Sequence, residues 1–200
     1  MRFIGITGGV GAGKSAVLDY LNEDKRYMVL LADEVAHDLM EPGTKCYDRL
    51  KKEFLEEDIY LPAGGFDRNK LAQVIFSDDD KRKRLNEIVH PSVKEFVIET
   101  VEKAQKEGIV SIVFFEAALL IEDKYYEKCD ELWYIYTSED NRRKRLKENR
   151  GYTDEKIDNI FDSQLKDEQF RQYCQVIIDN NGSIDDTRKQ VDLALSTDKE

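Results

Sequence analysis

The stretch Gly5–Ala16, GITGGVGAGKSA, limits what this chain can fold into more than any other. It holds five of the eleven glycines (Gly5, Gly8, Gly9, Gly11 and Gly13) and then places Lys14 and Ser15. Glycines gather where the backbone turns to positive φ or where another group must come close. The spacing Gly8-x-x-x-x-Gly13-Lys14-Ser15 is that of a phosphate-binding loop. In such a loop successive N–H groups point inward as an anion nest, and the helix that follows adds the positive end of its dipole. The lysine reaches the outer phosphates and the serine hydroxyl ligates Mg²⁺. Gly9, Gly11, Ala12, Gly13, Lys14 and Ser15 are therefore expected to hold the phosphates of a nucleoside triphosphate, with Ser15 also on the metal. The flanks agree. RFIGIT before the loop reads as a short buried strand, and the helix after it would set Val17, Leu18 and Leu21 on one face.

Four further strands are predicted, at 27–32, 109–115, 131–136 and 175–179, with helical stretches between them. Alternation of this kind predicts an α/β fold with a five-stranded parallel sheet and right-handed crossovers. Ligands of such sheets sit beyond the carboxyl ends of the strands. Gly8–Ser15, Asp33 and Glu116 all fall at strand ends of that kind. Asp33 is the candidate to accept or orient the proton of an acceptor hydroxyl; the competing role is an N-cap for a helix starting at Glu34. Glu116 is the candidate to hold an Mg²⁺-bound water or to pair with a lid arginine.

Residues 34–108 make an unusually long crossover and read as mostly helical. Asp67 and Ser77 are predicted N-caps, Ser77 with Asp80 three residues on. A last helix is predicted to begin with Pro91 in its first turn and to stop at Gly108, with His90 at its end. Its apolar stripe is Val93, Phe96, Val97, Thr100, Val101 and Ala104. An ordinary crossover needs one helix, so the surplus predicts a substrate-binding insertion hung over the strand ends. Residues 138–172 predict a helical lid, with Ser138 and Thr153 as N-caps, a join near Gly151, and Arg142, Arg143, Arg145 and Arg150 along it. The core would comprise 1–33, 109–137 and 173–200.

With 42 acidic against 31 basic residues the net charge is −11, which argues against a nucleic-acid or membrane-surface partner. The phosphate site must be locally basic against that field. Cys46, Cys129 and Cys174 are far apart in sequence and form no metal-binding pair. No run of 18 apolar residues and no signal-peptide pattern is present, so a reducing cytoplasm is the expected setting.

A phosphate loop, a helical insertion and an arginine-bearing lid in 200 residues fit a small-molecule kinase. The guanine-reading Asn-Lys-x-Asp pattern of GTPase switches is absent; Asn69-Lys70-Leu71-Ala72 lacks the aspartate. Within that class the chain resembles the dephospho-coenzyme A kinase family. ITGGVGAGKSAV, LADEVAHDLMEPG, FDRNKLAQVIFSDDDKRKRLNEIVHPSV, EAALLIE, NRRKRLKENRGYT, the region of Gln164 and VIIDNNG carry the resemblance, in family order across nearly the whole chain. It implies a P-loop kinase of three parts (core, CoA-binding insertion, lid) that phosphorylates the ribose 3′-hydroxyl of dephospho-CoA with ATP and Mg²⁺. A monomer or weak oligomer is expected. The resemblance places the family's catalytic roles on Asp33, Lys14 and Arg145, nucleotide contacts on Arg145 and the backbone of Ala16, and metal contacts on Ser15 and Glu116.

The family pattern is broken at several points. Leu31-Ala32-Asp33 stands where it has Asp-Ala-Asp, Glu116 stands for an aspartate, and Gln175 for another. In the lid, Arg142 occupies a glutamine position, Arg145 the first arginine position and Asn149 the second, with Arg150 one residue late. Five residues along a helix turn about 500°, so Arg150 would point some 140° away from Arg145. Two other readings stay open on the residues alone: a P-loop kinase of another nucleoside or nucleotide, and an ATP-binding regulator without transfer chemistry.

Overall fold

The computed structural model describes residues 1–196. Its centre is β1 (Arg2–Thr7), in which Phe3, Ile4, Ile6 and Thr7 are all buried. An apolar run with both faces covered suits the middle of a parallel sheet. The sheet order is β2-β3-β1-β4-β5, with β2 at Tyr27–Leu31, β3 at Ile112–Glu116, β4 at Glu131–Tyr136 and β5 at Val176–Asp179. All five strands run parallel, and the fold is that of a P-loop kinase. Parallel register sets Ile6 opposite Glu116 on one side and Trp133 on the other. Phe114 and Trp133, fully buried on the strands flanking β1, meet edge to face at 5.6 Å.

The helices are α1 (Lys14–Asn22), α2 (Ala32–Leu39), α3 (Lys45–Glu53), α4 (Arg68–Ser77), α5 (Asp79–Glu107), α6 (Glu139–Arg150), α7 (Asp154–Ser163), α8 (Asp167–Tyr173) and α9 (Ile184–Ser196). A short 3₁₀ turn lies at Tyr125–Glu127. The chain forms two compact units, Leu30–Lys106 on one hand and Met1–Val29 with the described part of Glu107–Glu200 on the other. The first is helical. The second carries the phosphate loop, most of the sheet and the lid helices.

Three expectations on boundaries fail, each for a local reason. The strand expected from Ile109 begins at Ile112, because only from there on are the side chains buried. Ser77 is not a cap. It is the last residue of α4, its hydroxyl donates to Val74 O at 3.2 Å, and the cap of α5 is Asp78, whose Oδ1 accepts from the N–H groups of Asp80 and Lys81 at 3.0 Å. Pro91 does not open a helix, and His90 is not at a helix end, because α5 runs through both. A proline inside a helix costs about 3 kcal/mol. Here Leu85, Val89, Val93, Val97 and Val101 keep their four-residue spacing across the proline and are all buried. Burial of that continuous stripe outweighs the lost backbone bond. Gly108, at φ 62°, follows the helix and stops it as expected.

Removal of the α5 cap by Asp78→Ala is expected to cost about 1 kcal/mol of stability, whereas Ser77→Ala stays within about 0.5 kcal/mol. Urea denaturation of both variants separates the two assignments; an equal loss would return the cap to Ser77.

Candidate active site

The phosphate loop leaves β1 and closes on α1. Gly13 takes φ 85° as the residue before that helix, and no side chain caps the helix. A Cβ at this position would be strained and would overlap Asn180 Nδ2, so glycine is required twice over. An uncapped helix start with a cradle at its mouth is what an oxyanion needs. Inside the loop Ala12 N donates to Gly9 O at 3.1 Å and Ala16 N to Gly13 O at 3.1 Å. The Ala12 carbonyl faces away from solvent and collects donors from three elements. Asn180 Nδ2 reaches it at 2.7 Å, Thr137 Oγ1 at 2.9 Å and Arg145 Nη1 at 3.3 Å.

Lys14 donates to Gly8 O at 2.8 Å and stands 3.5 Å from Glu116 Oε1. The register of β1 against β3 brings that carboxylate to the loop: Glu116 is level with Ile6, two residues before Gly8. Ser15, on the first turn of α1, is exposed. The Ser15 hydroxyl and the Glu116 carboxylate are hard oxygen donors, few in number, and they fit Mg²⁺, which favours one or two protein oxygens together with substrate phosphates and water.

The lid is capped where the sequence predicts. Ser138 Oγ accepts from Asn141 N at 3.4 Å, Thr153 Oγ1 accepts from Lys156 N at 3.3 Å, and Gly151 leaves α6 at φ 61°. Leu146, Ile157 and Phe161 form a small core that packs on Val10 of the phosphate loop. The arginine run then divides by helical face. Arg143 and Lys147 pair with Asp154 in solvent at 2.9 and 2.7 Å. Arg142 and Arg145, three residues apart, turn to the loop. Arg145 donates to Asn180 O at 2.7 Å and to Thr137 Oγ1 at 3.3 Å. Arg150 is exposed, with its guanidinium over the Tyr152 ring at 6.0 Å.

Arg142, one of the four arginines singled out in the sequence and the residue at the family's glutamine position, is the most buried charged residue of the site, 8% exposed. Nε donates to Val10 O at 2.9 Å, Nη2 donates to Gln164 Oε1 at 2.6 Å, and the guanidinium lies 4.2 Å from the centre of the Phe161 ring. Gln164 Oε1 also accepts from Val10 N at 3.2 Å, so both polar groups of the Val10 backbone are held. A Cβ on Gly9 would overlap this guanidinium. Burial pushes the Arg142 pKa down from its ordinary value. Gln164 lies in the turn between α7 and α8, in a region that carries the family resemblance, but nothing local to it names Val10 and Arg142 as its partners. Thr137 and Asn180 were legible in principle, as polar residues directly after β4 and β5.

Asp33 belongs to the helical unit. Helix α2 starts two residues earlier than expected, with Leu31 in the cap position, so Asp33 lies within the first turn and is exposed rather than serving as the cap. His37, one turn on, is exposed and bonds Arg68.

The family model described as dephospho-CoA kinase matches residues 2–186 of the chain. The chain belongs to the dephospho-CoA kinase family. A Streptococcus mutans dephospho-CoA kinase is 36% identical over 97% of this chain and 96% of its own length. Among solved structures, a Thermus thermophilus protein superimposes with TM-score 0.77 at 27% identity, covering 100% of this chain and 98% of its own. Dephospho-CoA kinase from Campylobacter jejuni gives TM-score 0.72 at 21% identity, over 96% and 94% of the two chains, a likeness of fold. One break from the family pattern has a structural explanation. Gln175 Oε1 accepts from Leu132 N at 2.8 Å while its own N–H donates to Leu132 O at 3.0 Å, so the glutamine starts the pairing of β4 with β5.

Arg142→Ala would leave the Val10 carbonyl and the Gln164 amide short of a partner. The expected cost is about 2 kcal/mol, a melting temperature lower by roughly 4–8 °C for a chain of this size. Arg143→Ala, which removes only solvated pairs, is expected to stay within about 2 °C by the same measurement. Equal shifts would show that Arg142 does not hold the loop.

Proposed function

We propose that the protein is an ATP-dependent dephospho-CoA kinase that transfers the γ-phosphoryl group of ATP to the ribose 3′-hydroxyl of dephospho-CoA, releasing CoA and ADP. The arrangement that carries this reading is the uncapped start of α1 behind Gly13, with Lys14 and Glu116 beside it, in a chain that matches its family almost end to end. In the transfer the 3′-oxygen forms a bond to the γ-phosphorus, the bond to the β,γ-bridging oxygen breaks, and the hydroxyl proton goes to the Asp33 carboxylate. Asp33 follows the carboxyl end of β2 and is exposed, which leaves it open to an acceptor.

The backbone of Gly9, Gly11, Ala12, Gly13 and Ala16 encloses the phosphates. Lys14 neutralises charge on the transferred group, and Arg145 stabilises it from the lid. Such transfer depends on positioning and electrostatic stabilisation far more than on covalent help from the protein. Mg²⁺, held through Ser15 and Glu116, would supply further charge neutralisation on the phosphates. The lid core on Val10 keeps α6 against the loop and limits water there. The net charge of −11 argues against a nucleic-acid or membrane-surface partner, and a cytoplasmic protein, monomeric or weakly associated, completes the reading.

The deciding assay is ADP release with dephospho-CoA, adenosine and AMP in parallel. Dephospho-CoA is expected to give the highest kcat/KM, since remote binding energy positions the hydroxyl. Equal efficiency on AMP favours a general nucleotide kinase, and no acceptor-dependent ADP favours a regulator. Asp33→Asn is expected to lower kcat by about 10²–10⁴ with little change in KM; an unchanged rate would remove Asp33 from the chemistry. Arg145→Ala is expected to cost at least about 10² in kcat and Arg150→Ala less than about tenfold, because Arg150 stands over Tyr152 in solvent. Steady-state rates check this pair, and comparable losses would bring Arg150 back to the phosphates.

A further inference from the structure

Arg142 is a buried cation without a contacting anion. Its guanidinium lies against Gly9 of the phosphate loop, where a Cβ would overlap it. Nε donates to the Val10 carbonyl and Nη2 to the Gln164 side-chain oxygen, both uncharged, and the Phe161 ring covers the group. Among the described residues Arg142 forms no ion pair. Tyr134 and Glu139 act on it only from a distance. Burial pushes the Tyr134 phenol up, so it stays neutral, and Glu139 is exposed.

The chain does not lack carboxylates, with 42 acidic residues against 31 basic. In the same lid Arg143 meets Asp154 and Asp158, Lys147 meets Asp154, and Arg171 meets Asp167. Lys14 has Glu116 at 3.5 Å. A cation taken out of water and given only neutral acceptors is costly unless a counter-charge offsets it. We propose that the counter-charge is the polyphosphate of the bound nucleotide, and that Arg142 is a positioning residue for it: it fixes Val10, and its positive charge beside Gly9 sets how tightly the loop holds phosphate. This rests on the nucleotide-binding function proposed above. The family pattern has an uncharged glutamine at this position, so the buried cation is a property of this chain.

Three variants separate the charge from the hydrogen bonds. Arg142→Gln keeps a donor for the Val10 carbonyl and removes the charge; Arg142→Lys keeps both a donor and the charge. Gln164→Glu keeps the acceptor for Arg142 and Val10 and sets a carboxylate against the guanidinium, a stronger hydrogen bond than the one it replaces. Titration calorimetry of the whole protein with ATP and Mg²⁺ is expected to show Kd raised at least about tenfold in Arg142→Gln and in Gln164→Glu, and by less than about threefold in Arg142→Lys. The melting temperature of Gln164→Glu is expected to stay level or rise. In turnover, KM for ATP should follow Kd while KM for dephospho-CoA stays within about threefold. Unchanged ATP affinity in Gln164→Glu overturns the proposal, because a purely structural arginine would be served as well by the carboxylate. Equal losses in Arg142→Lys and Arg142→Gln, or equal rises in both KM values, overturn it too. Wild-type protein that binds ATP while the variants bind it equally well removes only the role of Arg142; wild-type protein that binds no ATP removes the function on which it rests.

Discussion

One carbonyl oxygen holds the site together. Ala12 is 1% exposed, and its C=O accepts from Asn180 at the end of β5, from Thr137 at the end of β4 and, at longer range, from Arg145 of the lid. A buried carbonyl without partners costs a few kcal/mol. Satisfying this one ties the phosphate loop to two strand ends and to a helix. Asn180 is itself fixed, since its Oδ1 accepts from Thr187 Oγ1 at 2.8 Å and its N–H donates to Tyr136 O at 2.8 Å. The loop therefore keeps its shape before any nucleotide arrives, which is the preorganisation that phosphoryl transfer relies on.

The lid repeats the device one turn away. Arg142 donates to the Val10 carbonyl and Gln164 accepts from the Val10 N–H, and Leu146, Ile157 and Phe161 supply the apolar contact. A guanidinium buried this deeply is costly unless its N–H groups are used. Here two of its nitrogens are committed to neutral acceptors and its face to an aromatic ring. In a chain of net charge −11, Lys14, Arg142 and Arg145 make a small basic region around the loop. Of the four lid arginines singled out in the sequence, the two at helical spacing i, i+3 face the loop, and Arg143 and Arg150 face solvent.

The parts of the site that one short segment can specify were legible. Gly8 to Ser15 encode a loop that no other backbone could form, and Glu116 follows from where β3 must end beside β1. Capping residues at 67, 138 and 153 were legible because a cap is a local hydrogen bond. Ser77 failed as a cap because Asp78, its neighbour, is the better acceptor in the same geometry. Pro91 failed as a helix start because propensity is a local term and takes no account of the burial of the stripe from Leu85 to Val101, which runs through the proline.

By itself the sequence determined the parallel α/β core, the phosphate loop, the caps of α6 and α7 and the family, because each is written in residue types at fixed spacing. Only the tertiary structure decided which arginines serve the loop, that Thr137 and Asn180 hold Ala12, that Gln164 shares Val10 with Arg142, and that Arg68 meets His37 and Glu41. The reason is physical. A strand, a cap or a glycine turn is settled by interactions within a few residues, whereas a buried polar partner separated by 132 positions, as Arg142 is from Val10, is chosen by packing alone.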